Sequence, residues 1–414
     1  VINQRFPALK YRNFRIFWIG QFVSLIGTWM QSTVLPYLAY RLTDQPIYLG
    51  AIGFATSLPT LLLTLPGGVL VERYDKRKMV IIFQSILMIQ AFTLAYLAIT
   101  AQITIWHILA LALVQGSAYA LEISARQVML IELVGREALP NAIALNSTIF
   151  NAARVLGPAF AAPFLVLLKD AGEGWAFFAN GISFLFVIVG LLMIRTSPQV
   201  REARRPVGLQ DFAEGQKYIR QTPLVASLIL LAAIPGFWGF TFVQQIPVFA
   251  RDVLHVAGDT ADIVATRNSL MITFQGIGAL VAAVSLASFS GFRRKAFILM
   301  IGQFVFALAL IAISQTQWIP LAMLLMAVIG WGMVTQLTLT NTLIQLLVPD
   351  HLRGRVISTY LWALQGVAPF GSLVIGWLAQ NFGAPVAVLT GGSVCLLGYL
   401  IVHLRRPFIR HLLM

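Results

Sequence analysis

Apolar runs of roughly 20–30 residues, the length a tilted helix needs to cross the ~30 Å hydrocarbon core of a bilayer, recur along the whole chain. They fall near 12–40, 47–71, 79–99, 104–133, 140–168 and 175–195, then 223–251, 262–288, 295–315, 318–347, 353–380 and 384–404. Between the sixth and the seventh lies the one long polar connection, 196–222. Its second part sets Leu209, Phe212, Gln216 and Ile219 among Asp211, Glu214, Lys217 and Arg220, the spacing of a short amphipathic helix at a membrane surface. The pattern predicts an all-α membrane protein with twelve transmembrane helices in two six-helix bundles, 1–195 and 223–414, joined by a linker over 196–222.

Composition narrows the class. With 58% hydrophobic and 11% charged residues over 414 positions and a mean hydropathy of +0.82, the chain carries more apolar surface than soluble cores would bury. A net charge of +14 suggests nucleic acid, but the bases sit in short clusters between apolar spans, with no basic groove interleaved with aromatics. The single cysteine, Cys395 inside an apolar run, excludes an intramolecular disulfide and a Cys-based metal site. The first apolar segment is too long for a cleavable signal, and no small-residue cleavage pattern follows it.

The bases also orient the chain. Both termini and the loops after even-numbered spans hold clusters such as Lys76-Arg77-Lys78, Arg204-Arg205, Arg293-Arg294-Lys295 and Arg405-Arg406, whereas the opposite loops hold only Arg41, Lys169 and Arg251. Positive charge accumulates on the cytoplasmic side, so both termini are expected there, in a bacterial cytoplasmic (inner) membrane. The two halves repeat weakly at an offset of 211. Leu35-Pro36-Tyr37 aligns with Ile246-Pro247-Val248, and Gly157-Pro158 with Ala368-Pro369. Such repeats are a recurrent transporter plan, with substrate near the midplane between the halves.

The densest charge lies in the hairpin after the second span, Gly68 to Lys78, where Glu72, Arg73, Asp75, Lys76, Arg77 and Lys78 crowd one short loop. Gly68, Glu72-Arg73 and Lys76-Arg77-Lys78 resemble the loop between helices 2 and 3 of the major facilitator superfamily, G-x-L-x-D-R-x-G-R-R. Glu72 replaces the usual Asp, and Asp75 the second Gly. The resemblance implies a cytoplasmic latch made by Gly68, Glu72, Arg73, Asp75, Lys76 and Arg77. Its acid would meet a helix start in the other half, where the dipole and free N–H groups favour a carboxylate. The alternative is a solvated loop that only sets topology.

Two further stretches resemble the superfamily branch that holds the enterobactin exporter and the macrolide efflux proteins. One runs from Ala125-Arg126 through Leu139-Pro140-Asn141-Ala142 to Ala153-Arg154-Val155-Leu156-Gly157-Pro158; the other is Val348-Pro349-Asp350-His351-Leu352-Arg353-Gly354-Arg355-Val356. This likeness implies the major facilitator fold and export of small amphipathic molecules by a proton-driven antiporter. Many proton-coupled members carry Arg-x-x-Gln-Gly in helix 4. Here Gln115-Gly116 is present, but Ala112 stands in the Arg position, so that relay is not carried over.

Charges inside the spans are few. Glu122 lies about 11 residues and Arg154 about 14 residues from the nearest cytoplasmic helix ends, roughly 17 and 21 Å at 1.5 Å per residue. A lone charge at the bilayer centre costs about 2.5–3.5 kcal/mol on insertion scales, so pairing is expected. Glu122 is the candidate protonatable coupling group, with Arg154 its alternating partner and Arg126 one turn away. A permanent structural ion pair is the alternative, and Arg126 in particular fits a capping or snorkelling role.

Neutral polar and aromatic residues supply candidates for a substrate cavity: Gln21, Thr28, Trp29 and Gln31; Asn146 and Asn151; Trp238, Thr241, Gln244 and Gln245; Trp331, Gln336 and Asn341; Tyr360, Trp362 and Gln365. Some of them serve instead as interhelical hydrogen bonds. The five histidines avoid the midplane, so no metal cluster is expected, and no Gly-rich phosphate loop supports ATP-driven pumping. A nucleophile with a nearby base is also missing, so no enzyme, cofactor or nucleic-acid partner is expected. The expected partners are a small-molecule substrate, protons and the bilayer, and the expected unit is a monomer. A lipid or lysolipid translocator, an uncoupled facilitator, and a non-transporting receptor or assembly partner are the alternatives.

Overall fold

In the computed structural model the described residues are 6–168, 171–194, 209–288 and 294–405, apart from the side chains of 64–73, 136, 209–213 and 350–351. Among them every regular element is helical. The helices are α1 (Arg12–Thr43), α2 (Pro46–Arg73), α3 (Lys76–Ile99), α4 (Ile105–Gly135), α5 (Glu137–Leu167), α6 (Gly172–Met193) and α7 (Leu209–Gln221). They continue as α8 (Pro223–Trp238), α9 (Ala261–Ser288), α10 (Lys295–Gln315), α11 (Ile319–Leu347), α12 (Asp350–Gln365), α13 (Ala368–Phe382) and α14 (Ala384–Arg405).

Among the described residues eleven spans are long and apolar enough to cross a membrane, counting α8 with its continuation to Val253 as one and joining α12 to α13. The remaining span is α1, 32 residues long, which carries Gln21, Ser24, Thr28, Gln31, Ser32 and Thr33. Twelve spans with α7 set apart match the expected all-α major facilitator fold. The expected loop over 134–139 shrinks to one residue, because Gly135 turns the chain between α4 and α5 at φ 69°. That left-handed backbone is open to glycine without a Cβ penalty.

The prolines of the repeat diverge. Pro36 and Pro158 lie inside continuous helices. Pro247 falls where the seventh span passes from a 3-10 segment (Phe240–Gln245) through Ile246–Val248 into a π turn (Phe249–Val253), and Pro369 follows the break after Gln365. Helix interruption is thus concentrated in the second copy.

The chain divides into two compact units: Val1–Leu42 with Leu58–Arg204 and Thr260–Ser269, and Thr43–Ser57 with Arg205–Asp259 and Leu270–Met414. In the first, Phe14, Phe17, Val80, Ala125, Met129, Val134, Ala142, Val187 and Leu191 form a buried core that locks α1, α3, α4, α5 and α6 together. Gly157 brings α5 against α1: a Cβ there would lie 2.4 Å from Trp29 Cβ. Thr104 caps α4 in a reciprocal box with His107, which occupies that histidine locally.

Of the candidate latch, Gly68, Glu72 and Arg73 fall where side chains lie outside the described residues. The rest holds helix ends of its own unit. Asp75 caps α3 by accepting from Lys78 N at 2.8 Å, and Lys76 Nζ donates to Tyr74 O at 2.7 Å. Arg77 donates to Leu191 O at 2.6 Å and Leu192 O at 2.9 Å, carbonyls of the last turn of α6. Arg77→Met is therefore expected to cost about 1.5 kcal/mol, the low end for hydrogen bonds from a charged group. Thermal unfolding of the purified protein reads this, and an unchanged midpoint rules out a stabilising role for Arg77.

In the second unit, Val225, Leu228, Leu299, Leu339, Leu343, Val356 and Tyr360 form the core, and Ile219 of α7 joins them. The amphipathic helix expected at the membrane surface thus spends this apolar residue on protein. Glu214 pairs with Arg355, Gln216 Nε2 donates to Thr359 Oγ1 at 3.1 Å, and Tyr218 donates to Leu347 O at 3.4 Å. Arg355, from the second family-like stretch, therefore helps to seat the linker helix.

Candidate coupling site and substrate cleft

The functional candidate in the first unit is built on α4. Residues 119, 122 and 126 are three to four apart and so share a helix face. Glu122 is 1% exposed. Its Oε1 accepts from Gln84 Nε2 of α3 at 2.9 Å and faces Arg126 Nε at 3.3 Å, and the Tyr119 hydroxyl pairs with the same guanidinium. A buried carboxylate is tolerated when a base and hydrogen bonds answer it, and here one base and one amide meet at Oε1.

Arg126 has a second face. It lines a cleft of about 220 Å³ with Gln127, Asn146, Ser147 and Asn151, bounded by Phe17, Leu25 and Phe150. Asn151 Nδ2 donates to Ser147 O at 2.9 Å, while Asn146 Oδ1 is buried without a hydrogen-bond partner among the described residues. Arg154 lies with its guanidinium 5.5 Å from the Trp29 ring centroid, and Trp29 meets Phe150 edge-on at 5.5 Å. Arg126, on the same helix as Glu122, is thus the base at the carboxylate, and Arg154 is a cation on an aromatic face.

The other candidates divide by environment. Gln31 donates to Gln90 Oε1 at 3.1 Å and Gln115 Oε1 at 3.3 Å and accepts from Asn180 Nδ2 at 2.8 Å, so it joins α1 to α3, α4 and α6. Gln115 therefore enters a neutral amide network, beside a fully buried Ala112. Thr28 donates to Ser24 O at 2.9 Å, and Gln21 Oε1 is buried without a partner among the described residues.

In the second unit Tyr360 lies in the core and donates to Leu337 O at 3.3 Å, and Thr241 turns back to Phe237 O at 3.0 Å. Gln336 accepts from the Tyr399 hydroxyl at 3.0 Å, and Asn341 accepts from Gln345 at 2.9 Å. Gln245 is fully buried with neither amide atom paired among the described residues, and Gln244 packs near Gly53. Trp331 is half-buried, Trp362 and Gln365 are exposed, and Trp238 lines an apolar groove against α14.

Several residues escaped the sequence reading. Gln84, Tyr119, Gln127 and Ser147 complete the Glu122–Arg126 surroundings. Glu173 is buried and pairs with Arg41 at 3.1 Å. Arg267 and Asn268 are buried at the start of α9. Among the described residues no group of three or more His, Cys, Asp or Glu stands close enough to hold a metal ion.

The Staphyloferrin A transporter of Staphylococcus aureus is 24% identical over 376 residues, covering 89% of this chain and 90% of its own length. The Enterobactin exporter EntS of Shigella boydii is 22% identical over 392 residues, covering 94% and 89%. Among solved structures, nucleoside transporter NupG superposes with a TM-score of 0.73 at 14% identity, covering 95% of this chain and 98% of its own. A bacterial homolog of the human lysosomal transporter Spinster gives 0.68 at 14%, covering 97% of each. At those identities the structural likeness is one of fold. The family of transmembrane secretion effectors matches residues 4–409. This chain is a multi-pass membrane transporter, not an enzyme, and belongs to the transmembrane secretion effector family of the major facilitator superfamily.

Proposed function

We propose that this transporter is a proton-coupled exporter, an antiporter that moves small amphipathic molecules such as drugs or siderophores out of a bacterial cell by alternating access. Both termini are cytoplasmic, bundles 1–195 and 223–414 move about the linker 196–222, and the monomer is the working unit. One observation carries this: Arg126 faces Glu122 at 3.3 Å and also lines the cleft that holds Gln127, Asn146 and Asn151. Arg126 meets Glu122 through Nε, so its Nη groups can face an acidic oxygen of a substrate in the cleft while Glu122 is ionised. A proton on Glu122 removes the charge that holds Arg126 in that position and releases the substrate; loading from inside requires the proton to leave, so proton and substrate cross in opposite directions. Phe17 and Phe150 supply apolar walls for the rest of the molecule. That relatives are named for a staphyloferrin and for enterobactin supports the siderophore end of the class.

The test is dye or siderophore efflux from proteoliposomes with an imposed pH gradient. The parent is expected to transport only with the gradient, and Glu122→Gln to bind substrate more weakly and lose gradient dependence. Transport indifferent to both would overturn the proposal in favour of an uncoupled facilitator.

A further inference from the structure

We propose that the second unit carries a binding groove for one acyl chain of an anionic phospholipid, whose phosphate rests on Arg405. The groove, about 440 Å³, lies between α8, the break before α13, and α14. That volume is within the ~300–1,000 Å³ of small-molecule sites. Ile234, Phe237 and Trp238 form one wall, Leu397 and Ile401 the other, and Val367 closes the end.

Its origin is local. The α-helix of the seventh span stops at Trp238 and that of the eleventh at Gln365, so both lose their regular surface beside α14. On α14 itself Gly398 lets the helix approach α8: a Cβ there would sit 2.7 Å from Ile234 Cδ1, so the groove runs beside a tight contact. Apart from the Trp238 indole the lining is aliphatic or phenyl, so water gains few partners in it. In a membrane the groove opens onto hydrocarbon, and an acyl chain is the occupant of matching chemistry.

The headgroup assignment comes from helical spacing. Val394, Leu397, Gly398 and Ile401 recur three and four apart and form one stripe, and the next position of that stripe is Arg405, which is exposed at the last turn of α14. From Arg405, Ile401 and Val394 are four and eleven residues away, about 6 and 16 Å at 1.5 Å per residue. Those depths span one leaflet of a ~30 Å core. The exposed Lys217 and Arg220, just before α8 begins, add positive charge near the end where α8 enters. A tail in the stripe and a phosphate at its basic end select an anionic lipid over a zwitterionic one. This inference goes beyond the exporter proposal and does not depend on what is transported.

The experiment places the full-length protein in phosphatidylcholine nanodiscs doped with phosphatidylglycerol that carries a diazirine midway along one chain, and maps the crosslinks by mass spectrometry. Labelling is expected to concentrate on 233–238 and 394–401. Leu397→Trp and Ile401→Trp each fill the groove from its exposed rim, and each is expected to cut the labelling about tenfold, as the loss of a few buried methylenes requires. Arg405→Gln is expected to lower the preference for phosphatidylglycerol over an equally labelled phosphatidylcholine about fivefold, the effect of one base at a charged surface. Even labelling along other exposed stripes, such as Phe186 and Leu192 on α6, overturns the site. So does labelling untouched by Ile401→Trp. Equal labelling by the two lipids overturns the headgroup assignment.

Discussion

Arg126→Met is expected to abolish transport and to lower the thermal stability of the purified protein. The substitution keeps the length of the side chain but strips Glu122 of its base while leaving it 1% exposed, with the Gln84 amide still donating to it. Breaking a buried pair from one side costs about 3–5 kcal/mol, because the surviving charge stays buried without compensation. The double variant Glu122→Gln/Arg126→Met removes both charges, and Gln84 keeps an amide oxygen to donate to. Its stability is expected to return to within about 1 kcal/mol of the parent, since replacing both members of a buried pair is often neutral. Gradient-driven efflux is expected to stay lost. This split separates a coupling pair from a structural one: a pair that only fixes the fold recovers transport together with stability. Unfolding midpoints and efflux measured side by side decide it.

The largest expected effect on folding comes from Gly278→Leu. A Cβ at Gly278 would lie 1.7 Å from Ala327 O, and one at Gly330 would lie 1.9 Å from Gln275 O, so α9 and α11 touch backbone to backbone at two reciprocal glycines. A carbonyl on a regular helix cannot step aside as a flexible side chain does. Overpacking usually costs about 1–3 kcal/mol and more where the obstacle is rigid, so the variant is expected to fail to accumulate in the membrane. Gly354 in α12 is the control, having nothing within 4 Å of an added Cβ. Gly354→Ala is expected to stabilise by about 0.5–1 kcal/mol through helix propensity. Membrane expression and thermal unfolding of both variants test the pair, and a Gly278→Leu protein as stable as the parent would disprove the close contact.

How far such contacts are legible in a sequence depends on whether they leave a local trace. The spans do, because each apolar run must match a bilayer, and most helices begin and end within a few residues of the runs. The turn at Gly135 did not, since a polar stretch implies a loop whether the chain needs one residue there or six. Glu122 was legible because an acid in an apolar run is conspicuous, but its partner was assigned by depth. Arg154 matched Glu122 in depth, whereas Arg126 was adjacent on the helix surface, and the i,i+4 relation is the one realised. Gln84 carries no charge and left no mark. Nor does composition separate Gln31, bonded to three amides, from Gln245, bonded to none among the described residues; the rotation of each helix against its neighbours decides that. Glu173 falls in the gap between the apolar runs 140–168 and 175–195 and so left no mark; it stands at the first turn of α6, where burial depends on the packing of α1.

The amide network of Gln31, Gln90, Gln115 and Asn180 has a consequence for a molecule that works in a membrane under voltage. Its four side chains hold α1, α3, α4 and α6 without one net charge. An elementary charge moved across the full potential exchanges about 2.3 kcal/mol per 100 mV, but neutral amides that rearrange exchange almost nothing. The part of the cohesion that this network supplies is therefore insulated from the electrical component of the gradient and from pH, and any voltage sensitivity of the first unit must enter through its buried ions.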